Sequence, residues 1–203
     1  MEISNKTLAL FLVAAIVVSL AGTIISLNKL GQVTTTGFAA TDTGTATLQV
    51  NSTTSIFFSI DSINWGSGYV NGSYINCTMG SDNKRSLGCV GFTTVAQGFV
   101  LENDGNKNVT VELVANATAA QFIEGSTGGG PEFLYNVSNN ETDACDTPAP
   151  AALTAVNTSA PGTLICDIFH FIDADTMRID VEINIPSDSP PGVKIAEFTA
   201  TAT

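Results

Sequence analysis

The sequence predicts a mainly β protein in which one N-terminal hydrophobic α-helix precedes an antiparallel β-sandwich. The helix is indicated by a stretch without charge or proline, Leu8 to Leu27. The sandwich is indicated by short segments after residue 45 in which apolar and polar residues alternate, separated by turn-forming residues. We therefore expect a helix in residues 1–30, a linker in residues 31–44 and a β-domain in residues 45–203.

As a helix, Leu8 to Leu27 would be about 30 Å long, the thickness of a bilayer's hydrocarbon core. Lys6 and Lys29 bracket it and can reach the two interfaces. The stretch fits a retained transmembrane anchor or a pilin-type helix that packs with its copies inside a filament. It also fits a signal peptide cleaved after Ser19-Leu20-Ala21.

Small residues form a stripe along this predicted helix. They follow one another at steps of four, three and four residues, which places them on one face. Small side chains at such steps let helix backbones approach closely in lipid. The stripe, the predicted helix-packing face, consists of Ala15, Ser19, Gly22 and Ser26.

The charge of the chain lies almost entirely beyond the apolar stretch. Only Lys6 and Glu2 precede it, and the whole chain has a net charge of −12. Nucleic acid is excluded as a partner because the remaining six basic residues, among 18 acidic ones, cannot neutralise phosphates. High negative charge is typical of a soluble surface domain.

Glycosylation sequons are the strongest indication of compartment. Nine Asn-x-Ser/Thr motifs occur, more than the Ser and Thr content of this chain gives by chance. Asn5 would remain on the cytoplasmic side and unmodified. The predicted N-glycosylation sites beyond the helix are Asn51, Asn71, Asn76, Asn108, Asn116, Asn136, Asn140 and Asn157.

Four cysteines, Cys77, Cys89, Cys145 and Cys166, fit an oxidising compartment. Three pairings are open. We favour Cys77 with Cys89 and Cys145 with Cys166, because each bond would close a local excursion between strands. The sequence contains no CxxC motif and one histidine, so we expect no zinc site.

Alternation predicts the individual strands. A first strand begins at Thr45, where Ala46, Leu48 and Val50 alternate with polar residues, and Ser55 to Asp61 is a second. The clearest feature is a predicted hairpin, since Asp104-Gly105 favours a tight β-turn. Its two strands would be Gly98 to Asn103 and Asn108 to Ala115.

The C-terminal region predicts one long buried strand and one final strand. The final strand, Val193 to Ala202, changes phase near Ala196, which indicates a bulge. Gly125 to Pro131 and Asn139 to Pro150 are predicted to be loops, the first of them flexible, without a phosphate-binding pattern. The inward row of the long strand would be Met177, Ile179, Val181, Ile183 and Ile185.

The sequence offers few groups for catalysis. His170 lies among apolar residues, as structural histidines do, and no nucleophile set can be built around it. Asp167, Asp173 and Asp175 are a weak calcium candidate without a known loop spacing, so we expect no metal. Trp65 is expected to cap the core at a turn. We predict that the protein is not an enzyme and has no cofactor.

The layout resembles that of archaeal surface and filament proteins, including type IV pilins and archaellins. The residues that carry the resemblance are VAAIVVSLAGTIISL, GFVLENDGNKNVTVELVAN and IPSDSPPGVKIAEFTATAT. The resemblance implies an immunoglobulin-like β-domain, with helices in a filament core and β-domains outside. One departure is that no basic-Gly prepilin-peptidase site precedes the helix.

These features together predict a structural protein of the cell surface. The leading hypothesis is a pilin-like filament subunit, glycosylated on its outer domain and self-associating as a helical homo-oligomer. Its helix would lie in the membrane before assembly. The alternative is a singly anchored surface adhesin or envelope protein, which would share every feature except helix self-packing.

Overall fold

The computed structural model describes residues 5–30 and 46–203. The chain divides into two compact units, Met1–Gln49 and Val50–Thr203. The described residues are mostly β, in antiparallel sheets, with one N-terminal apolar helix, which confirms the coarse fold prediction. The predicted linker, residues 31–44, lies outside the described residues.

Helix α1 extends over Asn5–Leu30. The sequence favours it because proline is absent, and alanine and leucine are good helix formers. The hydroxyl of Thr23 donates to the carbonyl of Ser19 at 2.9 Å, as a helical threonine can. Lys29 lies in the last turn, where a cation interacts favourably with the negative end of the helix dipole.

The second unit, Val50–Thr203, contains eleven strands and two short helical turns. The turns are α2 (Ala119–Phe122), capped by the side chain of Thr118, and a 3-10 turn at Thr127–Gly129. The strands are β1 (Phe57–Ile60), β2 (Tyr69–Val70), β3 (Asn76–Gly80), β4 (Cys89–Val90), β5 (Phe99–Glu102), β6 (Val109–Ala115), β7 (Glu132–Asn139), β8 (Thr154–Ala155), β9 (Thr163–Phe169), β10 (Thr176–Pro186) and β11 (Phe198–Ala202).

These strands form three antiparallel sheets. The largest has the order β1-β5-β10-β7-β8. Strand β3 also belongs to it and pairs with the C-terminal half of β10. The second sheet has the order β11-β6-β9, and β2 pairs with β4 in the third. Strand β10 is the axis of the fold because it pairs with β3, β5 and β7.

Strand β10 confirms most of the predicted buried row. Met177, Ile179, Val181 and Ile183 are buried. Ile185 is only half-buried, because burial shifts at the strand's end to Asn184 and Pro186. The carboxamide of Asn184 accepts a hydrogen bond from Thr78 and donates one to the carbonyl of Gly130, which allows this polar side chain to be buried.

The two larger sheets share one hydrophobic core. Strands β7 and β10 of the large sheet contribute Tyr135 and Ile179, and strands β6 and β9 of the smaller sheet contribute Val111 and Phe169. Strand β6 alternates strictly between buried and half-buried residues, as its sequence predicts. The core therefore lies between two sheets, each of which buries one face.

The predicted hairpin is wrong, although both of its strands exist. Strand β5 pairs with β1 and β10, whereas β6 pairs with β9 and β11 in the other sheet. The connection thus crosses from one sheet to the other. Asn103, which is fully buried, holds this crossing: its amide donates to the carbonyls of Lys107 and Phe169, and its oxygen accepts the N–H of Gly105.

The first and the last of the predicted strands also differ from the structure. Residues 46–55 belong to no strand, although Leu48 and Val50 alternate with polar neighbours. Only Phe198–Ala202 of the predicted last strand pairs, and its register with β6 has no shift. The predicted bulge is wrong, since the burial alternation continues without slip from Val193 to Thr203.

The glycine-rich loop at residues 125–131 makes most of its hydrogen bonds with one side chain. Asp188 accepts hydrogen bonds from the backbone N–H groups and hydroxyls of Ser126 and Thr127, at 2.8–3.1 Å. These bonds favour the carboxylate form, and the backbone N–H of Thr127 contributes most. They hold the pKa of Asp188 well below its usual range.

We expect Asp188→Asn to lower the melting temperature at pH 7. Because the folded-state pKa is depressed, the stabilisation by Asp188 is complete above about pH 4 and declines as the pH falls further. The difference in melting temperature between wild type and variant should therefore shrink toward pH 2. Asp61→Asn, at an exposed position outside the loop, is the control. A difference that did not change with pH would contradict this account.

Candidate assembly helix and outer surface

Helix α1 is the largest apolar feature that its own unit does not bury. Residues Asn5–Lys29 form a helix long and apolar enough to cross a membrane, and none of this span is buried. Leu10, Phe11 and Val18 are among its most exposed side chains. Exposing this much apolar surface to water is unfavourable, so the helix requires lipid or other protein around it.

The four residues of the predicted packing stripe lie on one side of this helix. At about 100° per residue, Ala15, Ser19, Gly22 and Ser26 fall within an arc of roughly 60°. Apart from the adjoining backbone of the helix itself, no described atom lies within 4 Å of a Cβ placed on Gly22, so the described chain would accommodate a larger side chain there. Among the described residues, therefore, none outside the helix limits the size of residue 22.

The cysteines form two disulfides, Cys77 with Cys89 and Cys145 with Cys166. These are the local pairings that the spacing favours. The first joins β3 to β4, and the second joins β9 to the loop after β7. All four residues are buried. An N-terminal apolar helix together with disulfides is typical of a secreted or membrane-anchored protein.

The sequon asparagines divide into two groups by exposure. Two of the half-buried ones, Asn71 and Asn157, accept the N–H of the serine two residues later, at 3.1 and 2.9 Å. Asn116 instead accepts the N–H of Glu197 at 2.8 Å. The exposed asparagines beyond the helix are Asn51, Asn108, Asn116 and Asn140, and the half-buried ones are Asn71, Asn76, Asn136 and Asn157.

His170 follows the end of β9 and forms a surface pair. Its Nε2 lies 2.8 Å from Oδ1 of Asp146, and its backbone N–H donates to the carbonyl of Ala144. The pair joins the loop that carries Cys145 to the end of β9, so it has a structural role. Trp65 packs against the core cluster that contains Cys77, as expected for a residue that caps the core.

The three aspartates of the weak calcium candidate do not come together in the described part of the chain. Asp167 lies beside the sulfurs of Cys145 and Cys166, which are bonded to each other and are not available as ligands. Asp175 lies near Glu141 and near Asp173, so two of the three aspartates are neighbours.

Hydrogen bonds and burial shift the pKa values in this acidic region in opposite directions. Glu141 accepts the N–H groups of Asp175 and Thr176 at 3.0 and 3.1 Å, and these bonds lower the pKa of Glu141. Burial, followed by the neighbouring carboxylates, raises the pKa values of Glu102 and Asp175. Burial and, after it, charge repulsion therefore act on Glu102 and Asp175 around one well-bonded carboxylate, Glu141.

No protein-family model, curated protein or solved structure matches this chain. The relation to archaeal surface proteins therefore stays a prediction from the sequence. The features left for a functional proposal are helix α1 and, considered separately, the exposed surface of the β-unit.

Sequence reasoning missed two residues that shape the β-unit. Asn103 directs the chain between sheets, and Asp188 fastens the loop at residues 125–131. The sequence contains a signal for the first, since an asparagine often accepts the backbone N–H two residues later in a turn. It contains none for the second, because Asp188 and Thr127 are 61 residues apart.

Proposed function

We propose that this chain is a structural subunit of an extracellular, pilin-like surface filament. Helix α1 packs with its copies in the filament core, and a glycosylated, immunoglobulin-like β-domain faces outward. The observation that carries the proposal is the contrast between the two units. The apolar span Asn5–Lys29 is wholly unburied, whereas the β-unit has a core of its own.

Three further features support this assignment. The small-residue stripe on α1 offers a face for close helix packing. Sequons and disulfides are typical of the exported side of a membrane. Two antiparallel sheets that share one core agree with an immunoglobulin-like sandwich, in which each sheet buries one face.

The alternative function is that of a singly anchored adhesin or envelope protein. It is favoured by Lys6 and Lys29, which bracket a span of about one bilayer thickness and would hold a retained helix at the two interfaces. Both functions share the same β-domain. They differ in whether α1 remains in lipid or leaves it.

Cell fractionation distinguishes the two functions. Cells that produce the full chain are sheared, filaments are pelleted from the supernatant, and the pellet is imaged by electron microscopy. We expect filaments that contain this protein. A protein that stays entirely in the membrane fraction as a monomer would overturn the filament proposal and favour the anchored adhesin.

A further inference from the structure

The last part of the chain presents an open strand edge. Within the part of the chain that the structure describes, β11 pairs on one side only, with β6. Residues 193–197, which precede β11, continue its alternation of exposure, with Lys194 and Ala196 half-buried. The carbonyl of Glu197 accepts the N–H of Asn116, which extends the pairing by one position beyond β11, and the backbone groups on the other side of β11 can pair with a further strand.

Two large apolar side chains are exposed just before β11, where proteins usually protect their strand edges with charge. Val193 and Ile195 are 89% and 73% exposed. Lys194, the residue that would normally discourage pairing, forms an ion pair with Glu124. Glu197 is the one charged residue from Ile195 to the C-terminal Thr203. An exposed apolar edge with so little charge favours the addition of a strand.

Residues 46–50, where the β-unit begins, are also apolar, exposed and alternating. Residues 46–50 alternate apolar and polar, and Leu48 and Val50 are 87% and 74% exposed. Just beyond them the chain is fastened: the N–H of Thr53 donates to Oδ1 of Asn106, whose Nδ2 donates to the carbonyl of Asn51. Residues 46–50 are thus strand-like in sequence but belong to no strand.

Charge indicates that this segment can approach another copy of the chain. The net charge is −12, so two β-units repel each other at short range. Residues 43–60 contain no charged side chain. A strand from this region can therefore lie against a neighbouring acidic domain without adding to the repulsion, and Leu48 and Val50 would cover Val193 and Ile195 as cross-strand neighbours.

We propose that residues 46–50 of one copy add as a strand to the edge formed by Val193–Ala202 of a second copy. This inference rests on the proposed filament, in which helix packing brings neighbouring β-units close together. The contact would link the outer domains of successive subunits through backbone hydrogen bonds, with apolar side chains along one face.

The test uses cysteine cross-linking in the full chain. All four native cysteines are in disulfides, so an introduced cysteine is the free thiol of its chain. Two differently tagged copies are co-expressed, one with Leu48→Cys and the other with Val193→Cys, Ile195→Cys or Thr199→Cys, and sheared material is oxidised. Ile172→Cys, an exposed residue beyond the opposite edge strand β9, is the matched control acceptor.

We expect disulfide-linked dimers that carry both tags from at least one edge position and none from the control. Leu48→Asp together with Val50→Asp should reduce filament yield about tenfold, because pairing would bury two charges. Leu87→Asp, at another exposed leucine, should leave the yield unchanged. Filaments without a mixed dimer at any edge position, or an unchanged yield from the double variant, would overturn the inference and leave the filament proposal standing.

Two other outcomes are informative. A cross-link found only within single chains would show that the segment pairs with its own domain, and it would overturn the inference. Mixed dimers from membranes that shed no filaments would overturn the filament proposal while supporting the strand contact.

Discussion

Replacing Gly22 by leucine should reduce the yield of sheared filaments about tenfold. In the proposed core, Gly22 is the smallest residue of the stripe and lets two helix backbones approach closely. A leucine would force them apart and remove contacts along the whole seam. Yield is measured by quantifying this protein in the pellet, and integrity of the β-unit by its melting temperature.

The variant should not act through its own helix. Apart from the adjoining helix backbone, no described atom lies within 4 Å of a Cβ at this position, and leucine has a higher helix propensity than glycine. A loss of filaments would therefore report contact with another molecule. The β-unit is a separate compact unit with its own core, so its melting temperature should be unchanged.

Three control variants test whether the effect depends on the size of residue 22, on the helix face that carries the leucine, or on a change in the β-unit. Gly22→Ala raises helix propensity but stays small, so it should assemble. Ala21→Leu adds the same leucine about 100° around the helix from Gly22, outside the stripe, and should also assemble. Asn108→Gln removes an exposed sequon and should leave assembly intact. Normal filaments from Gly22→Leu would show that the stripe is not a packing face, in favour of the anchored adhesin.

The sequence predicts the strands better than their partners. Alternation records which face of a strand is buried, and it identified β6 and most of the inward row of β10. It carries no information on the neighbour to which a strand pairs. The Asp104-Gly105 dipeptide favours a turn in either topology, whereas the contact between Asn103 and Phe169 joins residues that are 66 positions apart. The crossing between sheets was therefore not predictable locally.

The last strand shows a second limit of pattern reading. If Val193 and Ile195 faced the core, Phe198 and Ala200 would face solvent, because alternate residues of a strand lie on opposite faces. The sequence therefore suggested a bulge between the two pairs. The structure keeps a single phase and leaves the first two side chains exposed, because Ala196 and Phe198 pack on the core. The inference assumed that apolar residues of a strand face the core, and Val193 and Ile195 do not. These two residues lie at the edge that we propose receives a strand.

Replacing both Cys145 and Cys166 by alanine should lower the free energy of unfolding by about 3 kcal/mol. The two residues are 21 positions apart, and in the chain-entropy account their bond restricts the unfolded chain. Both are fully buried in the core between the sheets. Urea unfolding of the full chain in detergent, followed by the fluorescence of Trp65, measures the loss.

The native state should keep its local structure in this variant. The N–H of Cys145 donates to Oδ1 of Asn139 and its carbonyl accepts from Nδ2, both at 2.9 Å, and these backbone contacts do not need the sulfur. The loss should therefore arise mainly from a less restricted unfolded state. Cys77→Ala with Cys89→Ala, whose residues are 12 positions apart, should cost slightly less because the closed loop is shorter. A loss below about 1 kcal/mol from the Cys145 and Cys166 variant would contradict the chain-entropy account for this bond.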